Sequence, residues 1–171
     1  MKKVVLFVAI VAAVIAGLNY FNLHRLMMKV LQDDSRNDGI EVWCHYDTFV
    51  LPQGLVFDLR VVSAGNSQAD VFRVLLQFAE AMKSAEFETV HLKYRGVPKF
   101  QLSGSYFRKL GEEYERQNPA YTMRTFPQNL QLPDGSSAYS EWRGGLLGVL
   151  QRQTEDFSDF HRRWYVNDLR G

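Results

Sequence analysis

The sequence has one cysteine, Cys44, in 171 residues. A lone thiol excludes an internal disulfide and any zinc site built from four cysteines. Acidic residues are missing from the first 32 positions. All nineteen Asp and Glu lie from Asp33 onward, with sixteen of the twenty Lys and Arg, so the formal charge of +1 divides into +4 before Asp33 and −3 after it. A mildly acidic body argues against nucleic acid as a partner. The short catalytic and ligand motifs are also missing. There is no phosphate-binding glycine loop, Cys-x-x-Cys pair, His-Glu-x-x-His or calcium loop. These absences weigh against an enzyme, without excluding one assembled from distant residues. They give no reason to expect a cofactor or a metal.

What the sequence has is a long apolar run. Val4 to Leu18 contains nothing more polar than Gly17, and Lys2 and Lys3 precede it. Such a run rises about 22 Å as a helix, short of the ~30 Å hydrocarbon layer. Extended through Asn19 to Leu23, it is long enough to span. Two readings follow. One is an uncleaved membrane anchor. The other is a cleaved secretory signal, with Val14 and Ala16 before the cut. Leu23, Leu26, Met27, Val30 and Leu31 continue at helical spacing, and no Gly or Pro intervenes before Gly39. The pattern therefore predicts one helix from about 3 to 32, and residues 1–32 read as a transmembrane anchor and amphipathic stalk. The stalk's apolar stripe seeks protein or lipid and leaves a homo-oligomer open. The basic N-terminus places the start in the cytoplasm and the C-terminal domain outside it. Cleavage would instead give a secreted or periplasmic protein.

Residues 33–39, Asp-Asp-Ser-Arg-Asn-Asp-Gly, contain no core residue and read as a linker. Residues 40–171 are of the size of one domain. Ile40 to Leu51 alternates as a strand, Pro52-Gln53-Gly54 turns, and Leu55 to Val62 is the return arm of a hairpin. Ser67 and Asp70 form a capping box that opens a helix to about Ala85. Glu88–Arg95 and Lys99–Leu102 are strands joined by Gly96-Val97-Pro98. Ser103 or Ser105 caps a helix to about Gln117, ended by Asn118-Pro119, and Tyr121–Phe126 is the last strand. A final helix covers about Gly144 to Tyr165.

The order from Leu55 to Phe126 is strand, helix, strand, strand, helix, strand. That is the ferredoxin-like order. The expected fold is α+β, a two-layer sandwich with both helices on one face, extended by an N-terminal strand and a C-terminal helix. A different two-layer topology is the alternative.

Four groups of residues invite a chemical reading. His45 and Asp47 share a strand face, with Asp58 and Arg60 across the hairpin; this suits an acid–base pair or, more simply, a cross-strand salt bridge. Cys44 faces the other way, as a core thiol. His91, Lys93 and Arg95 form a basic row on the sheet face that the helices leave open, suited to an acidic protein or an anion. Tyr121, Arg124, Trp142 and Arg143 surround the long loop 128–143, and Trp and Arg are frequent interface anchors. The resulting expectation is a membrane-anchored, non-catalytic interaction or assembly subunit of a cell-envelope complex. Its partner is a protein, held by Trp142, Arg143, Tyr121, Arg124, His91, Lys93 and Arg95. The rival is an extracytoplasmic small-ligand-binding protein or hydrolase centred on His45, Asp47 and His91.

Overall fold

The computed structural model describes residues 2–48, 53–143 and 145–170. The chain opens with one helical run in three pieces. These are α1 (Lys2–Asn19), a π-type turn (Tyr20–His24) and α2 (Arg25–Asp33), with right-handed dihedrals at both junctions. Among the described residues no helix is long and apolar enough to cross a membrane. The eighteen residues of α1 rise about 27 Å against a hydrocarbon layer of ~30 Å. Val4, Leu6, Phe7, Ile10 and Val14 on α1 are each more than half exposed.

The lower half of the run behaves differently. Leu23 and Met27 are fully buried, and Leu26, Val30 and Leu31 pack against the same core. The amphipathic stripe of the stalk thus finds its cover in its own domain. The polar stretch after it is equally tied down. Asn37 is buried and donates to Val30 O and Gln77 Oε1, while Gln77 donates to Asp34. Arg73 pairs with Asp70 at 2.7 Å and lies 3.7 Å from Asp34. Residues 33–39 therefore form a hydrogen-bonded corner between the first helices and α3 (Gln68–Ala81).

The sheet has four strands in sequence order: β1 (Ile40–Tyr46), β2 (Gly54–Val62), β3 (Thr89–Tyr94) and β4 (Val97–Ser103). β1 is shorter than the expected strand to Leu51, because Asp47 and Thr48 already lie in a turn; residues 49–52, with the expected turn at Pro52, lie outside the described residues. β1 and β2 form an antiparallel hairpin with a bulge that skips Arg60. The Ser67–Asp70 capping box opens α3 as the sequence predicts. α3 then carries the chain back so that β3 lies parallel to β2. Arg95 and Gly96, at φ 50° and 86°, make the two-residue turn into β4. Pro98 sits within β4, where an edge strand tolerates it.

α4 (Gly104–Glu113) is capped by Ser103, and Ser105 only bonds that hydroxyl. The expected strand at 121–126 is a helix instead, α5 (Pro119–Thr125). Asn118 caps it by accepting from Ala120 N–H, and Pro119 occupies its first turn. Asn-Pro here starts a helix rather than merely ending one, and that local signal overrides the strand tendency of Tyr121 and Thr122. Without this strand the described sheet is two hairpins joined by a parallel crossover, and the ferredoxin-like interleaving is not what it shows. The coarser expectation, a two-layer α+β arrangement, stands.

α6 (Leu146–His161) continues through a π-type turn (Arg162–Val166) into Asn167–Arg170. The expected start at Gly144 lies outside the described residues. The core gathers on one face of the sheet: Phe57 meets Phe78 of α3 and Trp164, while Phe100 meets Phe160.

Candidate functional site

The sheet face opposite that core carries two cross-strand rows. One is His45, Val56, His91 and Gln101; the other contains Trp43, Asp58 and Lys93. Asp58 is buried in the middle of this face. Its carboxylate accepts the Gly96 N–H at 2.9 Å and lies 3.3 Å from Arg60 Nε. It thereby ties the β3–β4 turn to β2, and Arg60 in turn lies 5.6 Å from the centre of the Trp43 ring.

His45 and His91 do not converge. Val56 stands between them, and two strand spacings put their backbones about 10 Å apart. His45 Nδ1 is 2.7 Å from Tyr46 O, and Asp47 lies 3.6 Å from His91 Nε2. Burial lowers the His91 pKa, Asp47 partly restores it, and Lys93 lowers it again. The surroundings therefore favour the uncharged form of the His91 ring. Arg95 leaves the row for the turn, where its guanidinium lies 5.1 Å from the Tyr94 ring centre and donates to Arg60 O. Among the described residues no group of three or more His, Cys, Asp or Glu is placed to hold a metal ion. Cys44 is fully buried, which pushes its thiol pKa well up, with the Asp58 charge adding to the effect. A thiol so protonated is a poor nucleophile.

The long loop is a strap. Gln131 exchanges main-chain hydrogen bonds of 2.8 and 2.9 Å with Gln101 of β4, which covers that edge of the sheet. Tyr139 stacks on Phe100 and donates to Asp159, and Arg163 lies over both rings. Burial, then Asp159, raises the Tyr139 pKa. Trp142 donates its indole N–H to Asp156 and is covered by Arg152. Arg143 is exposed and pairs with Glu141 at 2.9 Å. Tyr121 is exposed on α5, and Arg124 is half-buried with an Nε that has no partner among the described residues. These four residues belong to the helical layer. His91 and Lys93 point to the opposite side of the sheet, so the seven residues expected to bind a partner do not form one surface.

Sequence reasoning missed a further surface. A groove of about 420 Å³ runs between the first helices and β1, with His24, Met28 and Leu31 on one side and Ile40 to Trp43 on the other. A faint signal was available. Trp43 is a large aromatic on the polar side of a strand, and such a residue either covers something or stays in the open. Which of these holds depends on how closely α2 docks, and helical spacing does not say that. Comparison of the chain with family models, with curated proteins and with solved structures finds no match.

Proposed function

We propose that this chain is a membrane-anchored interaction module, an assembly subunit of a cell-envelope complex. The observation that carries the reading is α1. Val4, Leu6, Phe7, Ile10 and Val14 stand exposed along one side of it, and the sequence from Val4 to Leu18 carries no polar side chain on any side. A helix that is apolar on all sides needs lipid or protein around it. In this reading α1 enters the bilayer with its basic start on the cytoplasmic side, and the turn at Tyr20 and Phe21 completes the apolar length. Arg25 and Lys29 then sit at the opposite headgroup layer, and the α+β domain lies outside the cytoplasm. The domain's task is to hold a protein partner, and Trp142 and Arg143 at the end of the strap, with Tyr121 and Arg124 on α5, are candidate contacts.

The test is alkaline carbonate extraction of membranes from cells expressing the full chain or a form lacking residues 2–18. The full chain is expected in the membrane pellet and the shortened form in the supernatant. A full chain released by carbonate would overturn the anchor. The double variant Trp142→Ala, Arg143→Ala is expected to lower partner recovery after in-cell crosslinking while the domain stays folded, and unchanged recovery would remove those two residues from the contact.

A further inference from the structure

The first helical run and β1 lie side by side and antiparallel. The Tyr46 N–H donates to Asn19 Oδ1 at 2.7 Å, the His24 ring is 6.0 Å from that of Trp43, and Gln32 and Gly39 line the same groove. From Asn19 to Gln32 a helix rises about 20 Å, and from Tyr46 to Gly39 a strand covers about 23 Å. The two lengths agree, so height along the helix can be read as height on the sheet. At the level of Asn19 β1 ends and β2 and β3 begin, since Tyr46 is paired with Leu55 and Gly54 with Thr89. Ser103, at the end of β4, pairs with Thr89 at the same level. Glu88 N–H donates to Gln53 O and Gly104 N–H to Glu88 O, which ties these strand ends into one rim. The Arg95–Gly96 turn lies at the opposite end of the sheet.

This arrangement leaves no stalk between α1 and the sheet. From its start α1 rises about 27 Å to Asn19, so the outer boundary of a ~30 Å hydrocarbon layer falls at Tyr20 and Phe21. That is already the level of the rim. Headgroups add about 5–8 Å beyond the boundary, a height that reaches His24 and Trp43. Within that layer the chain presents aromatic rings: Tyr20, Phe21 and Trp43 are 50%, 62% and 51% exposed. Tyr20 meets Phe21 edge to face at 5.4 Å and leads through His24 to Trp43 at 5.9 and 6.0 Å. Tyr and Trp are the side chains that settle at headgroup depth. Phe21 and Met28 follow Val14 at seven-residue steps, so they continue the exposed side of α1. Leu23 at the same height is fully buried in the domain core, where protein already takes the place of lipid.

We propose that the domain rests directly on the membrane, with the rim of its sheet and the rings of Tyr20, Phe21 and Trp43 in the headgroup layer of a phospholipid bilayer. Gln53, Glu88, Ser103 and Ser105 on the rim are exposed and polar, which suits headgroups and not acyl chains. The strands then stand up from the membrane, and the Arg95–Gly96 turn points away from it. Trp43, a large aromatic on the polar side of β1, finds its cover in the headgroups. The seating rests on the membrane-anchor reading above and adds which part of the domain the lipid touches. It makes no use of the protein partner.

The test uses the full chain in phosphatidylcholine nanodiscs, prepared with and without a nickel-chelating lipid. A nitroxide label is placed in turn on the single variants Phe21→Cys, Glu88→Cys, Ser105→Cys and Val97→Cys, all at exposed positions. Cys44 is fully buried and stays unlabelled, which the unmutated chain checks. Nickel held at the membrane surface shortens the relaxation time of a nearby label, and the effect falls steeply with distance whatever protein surrounds it. Labels at 88 and 105 are expected to relax several-fold faster with nickel present, as does the label at 21. The label at 97, about 20 Å further up β4, should change little. A response at 21 with 88 and 105 no faster than 97 would mean an anchored chain whose domain stands off the bilayer, and overturns the seating alone. No response at any of the four positions overturns the anchor and the seating together. A response at 97 as large as at 88 would mean that the domain lies on its side, and overturns the upright seating.

Discussion

Asn19 Oδ1 accepts the main-chain N–H of Tyr46 at 2.7 Å, while its Nδ2 donates to Ile15 O one helical turn back at 3.0 Å. One buried amide joins the end of α1 to the edge of the sheet. The residue that interrupts the apolar run is thus the residue that fastens the run to the domain. Below it, Leu23 and Met27 continue the attachment by burial. The exposed helix consequently leaves the domain from a fixed point.

Asn19→Leu keeps most of the volume and removes both bonds. Tyr46 N–H then has lost its acceptor, and a main-chain donor left unpaired out of water costs about 1–3 kcal/mol. Asn19→Asp retains an acceptor and is expected to lose less. Urea unfolding of the full chain in detergent, followed by tryptophan emission, measures both. A leucine variant as stable as the parent would show that water replaces the asparagine at no cost.

Much of the architecture was legible because its signals are local. The β1–β2 hairpin, the Ser67 capping box and the β3–β4 pair each announce themselves within about ten residues. α5 was also written locally, in Asn118 and Pro119, but the same two residues are equally good as a helix stop. Docking was harder to see. Leu23 and Met27 form an amphipathic stripe whether the cover is lipid, another chain or their own sheet, and only the position of β1 decides. The candidate site suffered most. His45 and His91 share a pleat face only because β1, β2 and β3 pair in this register, and the one strand that separates them depends on the parallel placement of β3 beside β2.

The contact between α3 and α4 depends on an absent side chain. A methyl group on Gly111 would collide with the main-chain carbonyl of Ala79. Gly111→Ala must push the two helices apart, and overpacking of this kind costs about 1–3 kcal/mol. Gly148 on α6 is the control, since a methyl there meets nothing within 4 Å. Gly148→Ala should instead stabilise by up to about 1 kcal/mol through helix propensity. Thermal unfolding of the two variants is expected to move in opposite directions. A Gly111→Ala protein with an unchanged midpoint would mean that α4 does not lie against α3 at this distance.

His161 lies fully buried among rings, with Phe157 and Phe160 both 4.7 Å away and Phe72, Trp164 and Tyr165 around them. Neither ring nitrogen has a hydrogen-bond partner among the described residues. Burial lowers its pKa to about 3. The nearby Tyr165 hydroxyl, its own pKa raised by burial, stays neutral and offers no charge to offset this. Above pH 6.5 the imidazole is neutral in both the folded and the unfolded chain. As the pH falls below 6.5 the unfolded chain takes up a proton that the folded chain refuses, so stability drops until the pH nears 3. The slope is about 1.4 kcal/mol per pH unit at most. His91, whose pKa is also lowered, acts in the same direction, so the comparison must be with a variant. His161→Phe keeps an aromatic ring in the cage and removes the titration. Between pH 7.5 and 5.5 the parent is expected to lose about 1 kcal/mol more than the variant in urea unfolding. Equal losses would mean that the imidazole finds a proton acceptor or water within the cage, and that the C-terminal helix is held less tightly than its burial implies.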